Sequence, residues 1–231
     1  MSTVKEKEKV AESVSEVIAQ AKKEEDWHPK TEAGKKVLNG EIKSLDELMK
    51  FNLPVREAKI IDMLVPNLED KVVDFKKTTR VRRSGRVFSF RAAVLVGDKQ
   101  QYIGIGIGKD KERFPAIRKA TRKAKLNMVK VRKGCGSWEC TCGTHHSVPF
   151  KVEGKSASVK VVFMPAPKGT GLVAGDNIKD VLILAGVRDV WCKTFGASDT
   201  KLNFVRAAVD ALSKTTKMKI SETMENKIKN E

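Results

Sequence analysis

Five residues crowded into one short stretch carry the most reactive side chains of the chain: Cys135, Cys140, Cys142, His145 and His146, in the pattern C-x4-C-x-C-x2-H-H. Thiolate sulfur and imidazole nitrogen are soft donors, and four of them suit a tetrahedral zinc ion. The pattern predicts Cys135, Cys140, Cys142 and His145 as the ligand set, although one residue separates Cys140 from Cys142 where zinc chelates ordinarily leave two to four. The competing reading is a loop of free thiols. Cys142 with His145 imitates a nucleophile and its base, but no third orienting group and no oxyanion-hole motif accompanies the pair. The H-x-E and P-C-x-x-C signature of zinc deaminases is absent as well.

Two glycine-rich segments fare no better as catalytic elements. Gly104 to Lys109 (GIGIGK) lacks the G-x-G-x-x-G of a dinucleotide turn, and Gly169 to Asp176 (GTGLVAGD) lacks the G-K-[ST] ending of a P-loop. Tight turns and close packing explain both. Cys192, alone in an expected strand, reads as a small core residue. The sequence therefore points away from an enzyme.

The other candidates are cationic. Arg80, Arg82, Arg83 and Arg86 flank an expected hairpin turn at Ser84-Gly85, and Arg118, Lys119, Arg122, Lys123 and Lys125 share one arc of an expected helix. The chain holds 46 Lys+Arg against 29 Asp+Glu, a formal net charge of +17. That excess is concentrated: residues 71–134 carry +16, residues 1–70 carry −3 and residues 135–231 carry +4. Crowded like charge is costly unless a polyanion lies against it, and a phosphate backbone supplies that charge while releasing counterions. A solvated basic face, or charge that protects an edge strand, is the bland alternative. Aromatics make up only 6% and Trp27, Trp138 and Trp191 are scattered, so phosphate and shape reading of folded RNA fits better than base stacking.

No apolar run nears the length needed to span a bilayer, and residues 113–131 lack the large apolar face of a membrane-surface helix, so no membrane partner is expected. Four cysteines and a charged N-terminus without an apolar stretch suggest a reduced, cytoplasmic setting.

These side chains need elements to hold them. Ser44 with Glu47 forms a capping box that opens a helix at Leu45 to Lys50, and a second helix is expected over Pro54 to Leu64. Residues 71–108 alternate with period two and predict three antiparallel strands. In the third, Ile103, Ile105 and Ile107 line one face while Gly104, Gly106 and Gly108 leave the other bare, open to a packed helix or a nucleic-acid strand. A helix over Asp110 to Val131 follows, with Phe114, Ile117, Ala120, Ala124, Met128 and Val131 on its packing arc. Further on, strands are expected at Ser147 to Val152, Ser158 to Met164 and Val187 to Thr194, and helices at Asp176 to Ala185 and Lys201 to Ser213. The fold class is α+β. Its expected parts are a mobile extension (1–40), short helices (41–70), a sheet-and-helix domain resembling double-stranded-RNA-binding domains (71–134), the Cys/His loop (135–146), a second α+β domain (147–214) and a polar, frayed tail (215–231).

The stretch SGRVFSFRAAVLVGD (Ser84 to Asp98) with GIGIGKDKERFPAIRKATRKAKLNMVKV, and MPAPKGTGLVAGDNIKDVLILAGVRDVWCKTFG (Met164 to Gly196) with NFVRAAVDAL, resemble the family of the fifth universal small-subunit ribosomal protein. The Cys-bearing loop and the leader EIKSLDELMKFNLPVREAKIIDMLVP look like its archaeal branch. The resemblance implies a scaffold that binds small-subunit rRNA near the decoding region, touches the universal fourth and eighth small-subunit proteins, and influences decoding accuracy and mRNA entry. It implies rRNA contact at Arg80, Arg82, Arg83, Ser84, Gly85 and Arg86, and a left-handed βαβ crossover in the second domain. His146 matches a position kept in family members without the cysteines, which implies another role for it. The N-terminal extension, with mixed charge and Trp27, is expected to dock on a neighbouring ribosomal protein. Two other readings remain open: a free-standing structured-RNA-binding protein, and a kinase-like enzyme built on the second domain's fold.

Overall fold

The computed structural model describes residues 27–142 and 144–217. The chain divides at Ile60 and Ile61 into two compact units. The first contains helices α1 (Glu32–Leu38) and α2 (Leu45–Lys50), and α3 (Ala58–Leu64) begins at its end. Helix α2 is capped at Ser44, whose hydroxyl accepts from the Glu47 amide at 3.3 Å, while the Glu47 carboxylate reaches back one residue past the N-cap and accepts from the Lys43 amide at 3.0 Å.

A mobile extension through residue 40 is not what the described part shows. From Trp27 onward the chain is held by the Glu57 carboxylate, which accepts from the Trp27 indole (2.9 Å) and from the amides of Lys30 (3.0 Å) and Thr31 (2.8 Å). Trp27 is thus engaged within its own unit, and the rest of the expected extension, residues 1–26, lies outside the described residues. The helix expected from Pro54 starts at Ala58, after Glu57 has been committed to these contacts.

The second unit is built on two sheets. Strands β1 (Glu69–Arg82), β2 (Gly85–Gly97), β3 (Tyr102–Asp110) and the short β4 (Met128–Lys130) form an antiparallel sheet in chain order, with α4 (Arg113–Leu126) against it. The helix ends five residues earlier than expected, because residues 128–130 pair with Tyr102 to Gly104 as a fourth strand. Its packing face also differs from the expected arc. Ala116, Ala120 and Ala124, an i,i+4 row, are fully buried, whereas Phe114 is 76% exposed.

The glycines explain the choice. A Cβ on Gly104, Gly106 or Gly108 would sit 2.1–2.3 Å from a carbonyl oxygen of Ala124, Ala120 or Ala116. The helix backbone therefore rests on the sheet backbone, an approach that only alanine-sized side chains permit. Of the two occupants the bare face admits, it has taken the helix.

The second sheet runs β5 (Val152–Ser156), β6 (Val159–Pro165), β8 (Val190–Phe195), β7 (Leu172–Val173), with α5 (Asp176–Leu184) between β7 and β8 and α6 (Lys201–Lys214) after β8. Strands β7 and β8 are parallel and the other pairs antiparallel. A strand expected over 147–152 is displaced to 152–156, since Pro149 has no amide to give a ladder and Ser147 is taken up by a bridge to Gly134 and by the Ala166 amide at 3.2 Å. The tail expected to fray from residue 215 begins with a 3-10 turn at Thr215–Lys217. Thr215 is fully buried, its hydroxyl accepting from the Arg132 amide at 3.0 Å and donating to the Leu212 carbonyl at 2.7 Å.

The two sheets share one core. Leu95, Ile103 and Val131, from the face of the first sheet opposite α4, pack in the same buried cluster as Val161, Phe163, Leu182 and Leu212. The first sheet is therefore covered on both faces. Substituting Gly106→Ala should lower stability by about 1–3 kcal/mol, the usual cost of overpacking, while Phe114→Ala should stay within about 0.5 kcal/mol of the parent. Urea denaturation midpoints check both, and the reverse ranking would restore the arc expected from the sequence.

Candidate nucleic-acid interface and metal-ligand cluster

Strand β3 pairs with β2 only as far as Phe90, so β1 and β2 continue alone from Lys77 and Phe90 to their turn at Arg83 and Ser84. At ~3.4 Å per residue this arm extends about 17 Å past the sheet. Two features stiffen it: Lys77 lies over the Phe88 ring at 3.8 Å, and at its base Phe75 and Phe90 stack with centroids 5.6 Å apart beneath Arg113. Gly85, at φ 113°, supplies the left-handed turn conformation.

Arg80, Arg82, Arg83, Ser84, Gly85 and Arg86 are all exposed at this tip. No carboxylate among the described residues pairs with these four arginines. By contrast Lys76 and Arg91, nearer the sheet, are turned inward to the buried Asp74 at 3.8 and 3.5 Å.

The helix cations split likewise. Arg118, Arg122 and Lys123 are exposed and carry no ion pair among the described residues, whereas Lys119 pairs with Asp110 and Lys125 with Asp62, each at 2.5 Å. Lys119 also holds the Asp110 carboxyl below its ordinary value, chiefly through their hydrogen bond, with help from the Lys111 amide.

A third cationic region was not foreseen from the sequence. A groove of about 890 Å³ is lined by Lys99, Lys130, Arg132, Lys133, Lys168 and Arg188, together with Thr144, His145 and His146 from the Cys/His loop. Its single lining acid, Asp189, is already committed to His146. Burial pushes the Lys133 ammonium below its ordinary pKa; Asp98 opposes this and Arg188 adds to it. Only Lys99, Lys130, Arg132 and Lys133 fall in the strongly basic block; Lys168 and Arg188 come from the distant second sheet, where no local charge run marks them.

The Cys/His loop gathers Cys135, Cys140, Cys142 and His146, one ligand atom from each lying within 4.8 Å of the others. His146 takes the position expected for His145, which lines the groove instead. The three sulfurs are free thiols, 3.0 Å apart for Cys140 and Cys142 and 3.6 Å for Cys142 and Cys135. Hydrogen bonds from Cys140 and then Thr144 bring the Cys142 thiol down to about 6, and burial followed by its sulfur neighbours pushes Cys135 up to about 11. Cys192 packs against the shared core, and burial pushes its thiol up to about 11.

Residues 68–132 match the family model described as ribosomal protein S5, N-terminal domain, and residues 154–226 match ribosomal protein S5, C-terminal domain. The chain is 50% identical over 198 residues to the small ribosomal subunit protein uS5 of Methanobrevibacter smithii, covering 86% of this chain and 93% of that protein. It is 53% identical over 191 residues to the uS5 protein of Aeropyrum pernix, covering 83% and 88%. The chain belongs to the uS5 family.

The resemblance read from the two sequence blocks therefore holds. In uS5 terms, the arm and α4 fall within the N-terminal domain match, and Lys168 and Arg188 within the C-terminal one. The Cys/His loop lies between the two matched stretches. Among the described residues no helix is long and apolar enough to cross a membrane.

The Lys119 pairing sets a pH dependence. Because the Asp110 carboxyl is lowered from 3.8 in the folded chain, its contribution to stability is present above that value and lost as the pH falls through the lowered one. Removing the partner with Lys119→Met should move the Asp110 midpoint upward, toward 3.8, in a carboxyl NMR titration. An unmoved midpoint would assign the shift to the Lys111 amide alone.

Proposed function

We propose that this chain is the uS5 structural component of the small ribosomal subunit, and that it grips folded rRNA by phosphate contact along three cationic surfaces: the tip of the β1–β2 arm, the exposed face of α4 and the groove. The observation that carries the reading is the arm. A two-stranded extension with four unneutralised arginines at its end has no use in the fold's own core, and planar guanidinium forks suit phosphate oxygens bidentately. Membership in the uS5 family supports the subunit assignment, and with it a cytoplasmic, non-catalytic role in assembly and translation. The finer parts of the reading are contact with the universal fourth and eighth small-subunit proteins, proximity to the mRNA entry path and an influence on decoding accuracy.

A second reading concerns the Cys/His loop, where four soft ligand atoms within 4.8 Å of one another support a structural zinc site.

The triple variant Arg82→Ala, Arg83→Ala, Arg86→Ala tests the rRNA grip. The tip is exposed and outside the core, so thermal stability should be unchanged. The slope of log affinity for small-subunit rRNA against log salt should fall in magnitude by about 2–3, close to one per lost phosphate contact. An unchanged slope would remove the tip from the interface. Sedimentation of the tagged native protein with small-subunit particles is expected, and recovery only in RNA-bound form away from them would favour a free-standing RNA-binding role.

A further inference from the structure

This inference rests on the reading of the Cys/His loop as a metal site and adds to it a metal geometry, a positioning residue and a consequence. A tetrahedral zinc with bonds of ~2.3 Å to sulfur and ~2.0 Å to nitrogen sets its sulfurs about 3.8 Å apart and sulfur from nitrogen about 3.5 Å. Two of the cluster's distances match these values and a third falls short of them, with all four ligand atoms within 4.8 Å of one another. Cys142 and Cys135 sulfurs are 3.6 Å apart, Cys140 sulfur is 3.7 Å from His146 Nε2, and the closest pair, Cys140 and Cys142, is at 3.0 Å. Four residues separate Cys135 from Cys140 and three separate Cys142 from His146, both ordinary zinc spacings. The single-residue step from Cys140 to Cys142 does not keep their sulfurs from facing one point.

His146 is set up for this role by its other nitrogen. Its Nδ1 meets the Asp189 carboxylate at 2.8 Å, with both side chains buried, so that Nε2 is the nitrogen left facing the sulfurs. A carboxylate behind a ligating imidazole fixes its tautomer and ring orientation. Asp189 also reaches further: its second oxygen accepts from the Gly169 amide at 3.1 Å and the Gly171 amide at 2.8 Å. Beside that turn, Lys168 lines the cationic groove, as do Thr144 and His145 from the Cys/His loop.

We propose that Cys135, Cys140, Cys142 and His146 bind one zinc ion in a closed tetrahedral site, with Asp189 as the positioning residue, and that filling this site locks the 169–171 turn and the adjoining wall of the cationic groove. Binding takes three thiolates and a neutral imidazole, and the thiol protons leave to solvent as the metal enters. No oxidant or reductant is involved. The ion serves shape rather than reaction, since all four positions are filled by protein.

The test uses the full chain. Elemental analysis of the purified protein should give one zinc per chain, and cobalt exchanged into the site should show the visible absorption of a tetrahedral thiolate complex. Cys140→Ser with Cys142→Ser should abolish both signals, and His145→Ala should leave both intact. Asp189→Asn should retain the metal but with affinity lower by about 10- to 100-fold in chelator competition. Absence of zinc and cobalt from the parent protein would overturn the metal reading itself, as would a mixed disulfide and thiol population that binds neither.

Hydrogen exchange on the unmodified protein tests the coupling without a variant that could misfold. Chelation should speed exchange of the Gly169 and Gly171 amides at least tenfold while the amides of α4 keep their rates. Metal binding with no change at those two glycines would leave the zinc in place and overturn the lock.

Discussion

The contact between the α4 backbone and the glycine row of β3 is the constraint on which the rest of the second unit depends. Because Gly104, Gly106 and Gly108 have no side chains, Ala116, Ala120 and Ala124 bring the helix down until its carbonyl oxygens occupy the space of the missing Cβ atoms. That seals one face of the first sheet with very little side-chain volume. The same strand's Ile103 then joins Leu95 in the core shared with the second sheet. Alternation along a single strand, glycine to one side and isoleucine to the other, thus divides the unit into helix, sheet and second sheet. Past the last β3 pair, Asp110 with Phe90, the β1–β2 arm stands free.

This architecture accounts for what the sequence made legible and what it hid. Period-two alternation in Val87 to Val96 was readable because each face of β2 meets a different neighbour, and the Ser44 cap was readable because it is a local contact. The packing face of α4 was not. A helical wheel ranks large apolar residues first, but here backbone approach decides, and Phe114 is left outside while Ala116 is buried. The end of α4 was missed for a similar reason, since the pairing of Met128 with Gly104 is a long-range contact that overrides a helical pattern. At the Cys/His cluster the three cysteines could be named from their types alone. The choice between adjacent histidines could not, because it is made by Asp189, forty-three residues away. The groove was hidden for the same reason: its cations come from both halves of the fold and converge only after the shared core forms.

The disposition of acids gives the charge imbalance its meaning. Residues 71–134 contain only four, Asp74, Asp98, Asp110 and Glu112. Asp74 is buried between Lys76 and Arg91, and Asp98 closes the β2–β3 turn by accepting from the amides of Gln100, Gln101 and Tyr102 at 2.7–2.9 Å. Asp110 holds Lys119 and the Lys111 amide. Three of the four are therefore occupied with internal structure and give the surface little neutralisation. Outside the block, Glu69, Asp62 and Asp180 each take one of its lysines, Lys99, Lys125 and Lys71. What these pairs leave over is not spread evenly. It collects at the arm tip and along Arg118, Arg122 and Lys123.

Self-repulsion among crowded cations opposes the compact state and is offset in the free chain by the shared core and by solvent ions. Lys133 illustrates the direction of the force. Its partial burial disfavours the charged ammonium and Arg188 adds to this, while Asp98 offsets only part of the cost. A phosphate placed there would reverse the balance, since an anion favours the charged form that burial opposes. An exposed cation gains modestly from a phosphate, whereas a half-buried one also recovers part of its lost hydration. In the proposed rRNA contact, a phosphate in the groove would therefore gain more per contact than one at the arm tip, where exposed charges are screened more strongly by salt.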